Sequence, residues 1–363
     1  MKQKIFIVAL LSALGAEAAV VKSPDGRLAL SIDAPGGIPT YSISYDGKTI
    51  LADSPLGFVS DVGDFSSGMT MGQVETDSVH RQFTQDKIKK RSIDWRATRL
   101  RAPFTNSAGG QMTVEMEIAD NDVALRYLIP RQGETAAMVI KHETTGFHFP
   151  ESSTAFITPQ ADAMTGWKRT KPSYEEYYVT DAPLDSASQY GNGYTFPALF
   201  RIGNDGWALL SETGVDGYFC GSHLSDYTDG GYSIAYAMPG ENNGNGSASP
   251  GVALPCATPW RTITVGSDLA PIVETVVPWA VVEPRYTLDR PAMAGRGSWS
   301  WLLWQDNSIN FDDQVKFIDL AAEMGYENVL IDNFWDKNIG RERMPELFAY
   351  ARAKGINPIL WYS

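Results

Sequence analysis

The sequence predicts a multidomain β plus α/β chain: a large antiparallel β sandwich over residues 19–283, then, over residues 284–363, the first βαβαβ units of a (β/α)8 TIM barrel cut short. Three observations predict it. Between Val20 and Val282, short runs rich in Val, Ile, Thr, Tyr and Phe are punctuated by Gly, Pro, Asn and Asp, and no amphipathic helix stands out among them. Between Ser298 and Tyr362, strand-like and helix-like runs alternate with short loops, the rhythm of a parallel sheet. Five of the ten tryptophans fall after residue 298, at or beside the expected strand ends.

In chain order, Met1–Ala18 reads as a secretory signal. Lys2 and Lys4 supply the positive start, Ile5–Leu14 the apolar stretch, and Ala16-Glu17-Ala18 the small-residue cleavage site. About ten apolar residues are too few to span a bilayer, which needs roughly 20, so export to the periplasm or cell surface is expected. The strands that follow include Leu28–Ile32, after the turn Ser23-Pro24-Asp25-Gly26, and Tyr41–Tyr45 before Asp46-Gly47. Met112–Ile118, Val123–Ile129, Trp207–Ser211 and Arg261–Val265 follow in turn. Alternation in Tyr41–Tyr45 and in Thr113–Glu117 predicts one face toward a core and one toward solvent.

After the polar stretch Glu283–Arg296 comes an aromatic strand, Ser298–Trp304, and then a helix over Phe311–Met324. Asp312 and Asp313 favour that helix's first turn, Gly325 stops it, and Val315, Ile318, Ala322 and Met324 form its inner stripe. A second strand at Asn328–Ile331 precedes a helix over Arg341–Lys354 with Leu347, Tyr350 and Ala351 inside; a third strand covers Pro358–Tyr362. Two and a half βα units cannot close a barrel of about eight. They would leave an open sheet edge beside Ile359-Leu360-Trp361, so the natural protein is expected to continue beyond Ser363.

Composition narrows the partners. The 363 residues are 43% hydrophobic, enough for one large core or two, and 20% charged, which argues against disorder. The formal net charge of −13 becomes one unit more negative if cleavage removes Lys2, Lys4 and Glu17. Such a chain repels phosphate backbones, so nucleic acid is not expected as a partner, and no later segment is apolar and long enough to span a membrane. Cys220 and Cys256 either bridge, which would contribute about 4 kcal/mol through loop closure, or remain two separate buried thiols. The four histidines and two cysteines show no zinc spacing, and no phosphate-binding or nucleophile-elbow fingerprint occurs.

Candidate site residues lie where barrel strands end. Strand one delivers Trp299, Trp301, Trp304 and Asp306; strand two delivers Asp332, Asn333, Trp335 and Asp336; strand three delivers Trp361 and Tyr362. Indole faces stack on the C–H faces of sugars while carboxylates and amides hold hydroxyls, so this set suits a carbohydrate lining. Each Trp could equally be core, and Asp332 a helix cap. The loop Tyr174-Glu175-Glu176-Tyr177-Tyr178 is either a solvated acidic loop or a source of hard oxygen ligands.

Several phrases resemble glycoside hydrolase family 97. They are Ser23-Pro24-Asp25-Gly26 with Pro39-Thr40-Tyr41 and Ser54-Pro55-Leu56-Gly57, Asn121-Asp122 running to Arg126-Tyr127, and above all Cys256-Ala257-Thr258-Pro259-Trp260-Arg261-Thr262. The barrel opening Gly297–Trp301 and the run Tyr326–Asp332 are similar again. The resemblance implies an N-terminal β super-sandwich, a catalytic (β/α) barrel and an exo-acting α-glucosidase or α-galactosidase with Ca²⁺ at its active site. It implies Glu176 as a calcium ligand, with Glu175 the alternative, and Asp332, Trp301 and Trp335 as substrate contacts for an oligosaccharide or α-glycoside. It also places the general acid and the nucleophile or base beyond Ser363, so that residues 1–363 alone are expected to be inactive; the Ser-Trp-Ser-Trp opening leans toward retention. The other function class left standing is a non-catalytic, exported glycan-binding protein.

Overall fold

The computed structural model describes residues 18–85, 88–161, 177–240, 246–286, 289 and 294–362. The chain divides into two compact units, one ending at Glu283 and the other covering Pro284–Ser363. In the first unit, β1 (Ala19–Lys22), β2 (Leu28–Asp33), β3 (Thr40–Tyr45) and β4 (Lys48–Pro55) form an antiparallel sheet in that order. The alternation read in Tyr41–Tyr45 holds, with Tyr41, Ile43 and Tyr45 buried and the serines between them half-exposed. The β3–β4 turn is Asp46-Gly47 with φ of +51° and +75°, the pair of positive angles that a two-residue hairpin prefers.

A larger antiparallel sheet holds eleven strands among the described residues. In chain order they are β5 (Met69–Met71), β6 (Glu75–Thr84), β7 (Ser92–Asn106), β8 (Gln111–Ile118), β9 (Asp122–Ile129), β10 (Ser153–Ile157), β11 (Val179–Pro183), β12 (Ala198–Ile202), β13 (Gly206–Thr213), β14 (Cys256–Ala257) and β15 (Trp260–Gly266). Their spatial order is β11-β10-β12-β13-β15-β9-β8-β7-β5, with β6 also pairing β7 and β14 pairing β9. One continuous apolar core joins the inner faces of both sheets: Leu28, Leu30, Tyr41 and Ile43 share it with Leu100, Phe104, Val114 and Met116. This is the packing of a sandwich.

Two expectations for this unit are corrected. Short helices do occur, α1 (Ala270–Glu274) and α2 (Val277–Val281), each with Pro in its first turn. Five residues are too few for a helical period to show in sequence. They matter because Val277, Ala280 and Val281 join Trp95, Ala97, Ala124 and Trp260 in a second core on the other face of the large sheet. The solvent face expected in β8 is also overturned: Glu115 and Glu117 are buried. Both Arg81 Nη atoms donate to Glu117 at 2.7 Å, and Arg101 and Arg126 donate to Glu115 at 2.9 and 2.8 Å. A further ion cluster lies deep in the unit. Arg261, fully buried, donates to Glu143 at 2.6 and 3.1 Å and to Glu212 at 2.6 Å. The Tyr236 and Thr145 hydroxyls donate to Glu143 at 3.1 and 2.8 Å. Cys220 and Cys256 carry separate, half-buried thiols.

In the second unit, β16 (Gly297–Trp299), α3 (Trp301–Trp304), α4 (Phe311–Glu323), β17 (Asn328–Ile331), α5 (Met344–Ala353) and β18 (Asn357–Leu360) alternate, and β16-β17-β18 pair in parallel. Among the described residues they form an open three-stranded sheet rather than a closed barrel. The strand expected over Ser298–Trp304 ends at Trp299, because its pairing with β17 ends at Trp299–Leu330. Beyond that point the backbone turns on itself, Leu303 and Trp304 N–H groups donating to Ser300 O at 3.1 and 3.0 Å. Asn310 caps α4, its Oδ1 accepting from the Asp313 N–H at 2.9 Å, and Gly325 with φ +65° ends it. The inner stripe of α4 is Gln314, Phe317, Ile318 and Ala321, whereas Met324 is exposed. A count of apolar residues alone misses it because its innermost position holds an amide. In α5, Leu347 and Ala351 are buried as expected; Tyr350 is half-buried, its hydroxyl donating to Asp319 at 2.7 Å.

Candidate active site at the carboxyl ends of the parallel strands

β16 and β17 run side by side and both end at the same edge of the sheet, which brings Trp299 and Asp332 together. The Trp299 indole N–H donates to Asp332 Oδ2 at 2.7 Å, and the Asn333 backbone N–H donates to Oδ1 at 2.6 Å. Asp332 is only 8% exposed. Trp301 stacks on Trp299 with ring centroids 5.7 Å apart and planes 19° from parallel, and its own N–H donates to Asp306 at 2.9 Å. Two predicted contacts, Asp332 and Trp301, therefore belong to one cluster through Trp299. The third, Trp335, joins another group: its N–H donates to Trp361 O at 3.1 Å and its ring meets Tyr362 edge-on, 5.6 Å between centroids. Trp304 sets its ring against Phe317, on the core side of α4.

The turns carrying these residues are bent unusually. Gln305 and Phe334 have φ of +54° and +70°, angles that cost a non-glycine residue of order 1–3 kcal/mol and persist where surrounding structure enforces them. A π-helical turn, Asp336–Gly340, follows directly, a feature frequent at functional sites. Beneath the first turn sits a polar wedge that the sequence reading missed. Gln314 Nε2 donates to Ser300 Oγ and to Ser308 O, both at 2.8 Å, and the Ser308 hydroxyl lies 2.8 Å from Ser300 Oγ. Gln314 is fully buried and its Oε1 has no partner. The available signal was a glutamine in register with Phe317, Ile318 and Ala321 on an otherwise apolar stripe.

Chemically, this edge offers acidic acceptors for hydroxyl groups beside parallel indole faces, the pairing a pyranose needs. The predicted metal ligand Glu176, and its alternative Glu175, lie outside the described residues, as do residues 1–17 with the signal. Among the described residues no group of three or more His, Cys, Asp or Glu gathers around a common point, and no helix is long and apolar enough to cross a membrane.

Comparison with known proteins bears on both units. A family described as Glycosyl-hydrolase 97 N-terminal matches residues 21–284. A probable retaining alpha-galactosidase of Streptomyces bingchenggensis is 26% identical over 356 residues, 93% of this chain and 51% of its own. A retaining alpha-galactosidase of Bacteroides thetaiotaomicron is 23% identical over 383 residues, 93% of this chain and 54% of its own. The crystal structure of a beta-arabinopyranosidase superposes with a TM-score of 0.91 at 53% identity, over 95% of this chain and 55% of that one. The chain thus spans about half the length of the relatives it matches. With the family's N-terminal domain matched over nearly the whole β unit and the likeness running on through the parallel strands, the chain belongs to glycoside hydrolase family 97.

Proposed function

We propose that the whole protein is an exo-acting, retaining glycosidase of galacto-configured substrates, an α-galactoside or a β-arabinopyranoside. The observation that carries this reading is the Trp299–Asp332–Trp301 cluster at the strand ends of a family 97 chain. The substrate class is supported by the two retaining α-galactosidases and the β-arabinopyranosidase together. A β-L-arabinopyranoside is an α-D-galactoside without its exocyclic hydroxymethyl group, with the same ring hydroxyls and the same direction of the scissile bond. One site can therefore serve both, because a pocket separates ligands that differ by so small a group only modestly. An α-glucoside differs instead by inversion at C4, which misplaces a hydroxyl against fixed polar partners.

In this reading β16, β17 and β18 open a (β/α)8 barrel completed in the whole protein. The acid and the nucleophile, a carboxylate pair acting through an oxocarbenium-like transition state, come from that further part. Calcium belongs to the same reading. Glu176 is the ligand this chain contributes, one of the roughly six to eight oxygens such a hard cation takes. When bound, the ion supplies Lewis-acid and templating chemistry. Export is supported by the charged start, apolar stretch and small-residue site of residues 1–18.

The test is steady-state kinetics of the whole protein on p-nitrophenyl α-galactoside, β-L-arabinopyranoside and α-glucoside, before and after chelation. We expect kcat/KM for one of the first two to exceed that for the glucoside by at least about tenfold, about 1.4 kcal/mol of discrimination. Activity is expected to fall on chelation and return with Ca²⁺, and Glu176→Gln to shift the calcium titration to higher concentration. Absence of hydrolysis of all three with calcium present would overturn the reading. Binding of galactosides without turnover would instead favour a glycan-binding protein.

A further inference from the structure

The two stacked indoles at the strand ends are not equivalent. Trp301 gives its N–H to Asp306, five residues on in the same turn, a bond that organises the turn itself. Trp299 gives its N–H across to the neighbouring strand, to the buried carboxylate of Asp332. One oxygen of that carboxylate is held by the indole and the other by the Asn333 backbone N–H, so the plane of the group is fixed from two directions. Each oxygen accepts one of these bonds and keeps capacity for another. Two such acceptors at fixed spacing suit the two hydroxyls of a vicinal diol on a pyranose ring. The Trp299 ring is itself restrained, stacked on Trp301 on one side and anchored by its hydrogen bond at the edge. Phe334, two residues beyond Asp332, takes its positive φ in the turn that leaves this point, so the backbone is constrained as well.

We infer that Trp299 is a positioning residue for substrate: its indole N–H fixes the orientation in which Asp332 accepts two neighbouring sugar hydroxyls. This rests on the proposed reading of Asp332 as a sugar contact. Trp301, whose N–H is spent within its own turn, supplies ring surface rather than orientation. The distinction has a kinetic signature. Removing the N–H while keeping an aromatic ring lets the carboxylate rotate, which weakens substrate binding without touching the acid or nucleophile.

The test is a double-mutant cycle in the whole protein, on whichever galacto-configured substrate it turns over. Trp299→Phe is expected to raise KM about tenfold while kcat falls by a smaller factor. Asp332→Asn is expected to raise KM at least as much, and the double variant to be no worse than Asp332→Asn alone, because both changes remove one interaction. Trp299→His retains a ring N–H and is expected to recover part of the lost affinity; Trp301→Phe is expected to leave the Trp299–Asp332 coupling intact. Should Trp299→Phe fail to fold, the same cycle is run with 3-benzothienylalanine at position 299, which keeps the shape of the indole and replaces its N–H with sulfur. Independent, additive effects of the two sites, or an unchanged KM in Trp299→Phe, would overturn the inference while leaving Asp332 as a sugar contact. An unchanged KM in Asp332→Asn would instead sink the reading of Asp332 on which it rests.

Discussion

Arg261 has no solvent to fall back on. Its guanidinium sits between Glu143 and Glu212 inside the β unit, and the hydroxyls of Tyr236, Thr145 and Ser222 complete the arrangement. Burial, with Glu143 beside it, holds the Tyr236 phenol well above the usual range, so the phenol stays protonated and donates. Removing one member of such a set strands opposite charge in the interior, which costs about 3–5 kcal/mol. Arg261→Ala is therefore expected to lower the melting temperature by an amount on the order of 10 °C, at about 2–4 °C per kcal/mol for a unit of this size. Arg261→Lys recovers little, since an ammonium cannot reproduce the forked geometry. A thermal melt of either variant within 2 °C or so of wild type would contradict this account.

Asp122 supplies a pH-dependent prediction at the same scale. It is buried, accepts from the hydroxyls of Thr264 and Thr275, and has its carboxyl raised above the ordinary value, chiefly by desolvation. A carboxyl whose folded pKa lies above its unfolded value contributes stability fully below the unfolded pKa and loses that contribution as pH rises through the folded one. Asp122→Asn keeps the acceptor for both threonines and does not titrate. Its melting temperature relative to wild type is expected to climb from about pH 4 upward; parallel melting curves across that range would rule the effect out. None of these roles was legible in the sequence. Arg261 stood out only inside a family-like phrase, and Glu115 and Glu117 read as a solvent face because the arginines that hold them, Arg81, Arg101 and Arg126, come from other strands whose register sets the pairing.

At the scale of elements, most of the strands named from the sequence lie within about two residues of their observed bounds, while others, such as Glu75–Thr84 and Ser92–Asn106, were not picked out. In Tyr41–Tyr45, pattern and burial have the same cause, a face turned to the core; in the continuous apolar run Val329–Ile331, Val329 and Ile331 are buried while Leu330 is half-buried. The sequence failed at Ser298–Trp304, where aromatic content suggested a strand but the ladder has no partner beyond Trp299. What holds that turn is polar. Ser300, Ser308 and Gln314 bond one another under α3, and the Gln314 amide is the only part of the wedge contributed by α4. Gln314→Leu removes the donor to both Ser300 and Ser308 and is expected to destabilise by about 1–3 kcal/mol, read as a shift in the urea midpoint. A change below about 0.5 kcal/mol would show that the wedge does not hold the turn.

For the whole molecule, chain length and coverage divide what is established from what is proposed. Family membership rests on the match over residues 21–284, while the half of the relatives' length that this chain does not span bears on the activity. The substrate contrast tests that activity at the level where it belongs, since a galactoside and a β-L-arabinopyranoside differ by one exocyclic group and a glucoside by the sense of one hydroxyl.

The sequence by itself determined the succession of an antiparallel β region and parallel βα units, the acidic net charge, and the gathering of indoles and carboxylates at strand ends. These follow from local period and residue type, which each short segment carries within itself. Only the tertiary structure decided which indole holds which carboxylate, which glutamates are buried with which arginines, and where the aromatic strand stops. Those outcomes depend on pairing between segments distant along the chain. A hydrogen bond such as Trp299 to Asp332 is set by the register of two strands, which no single segment specifies.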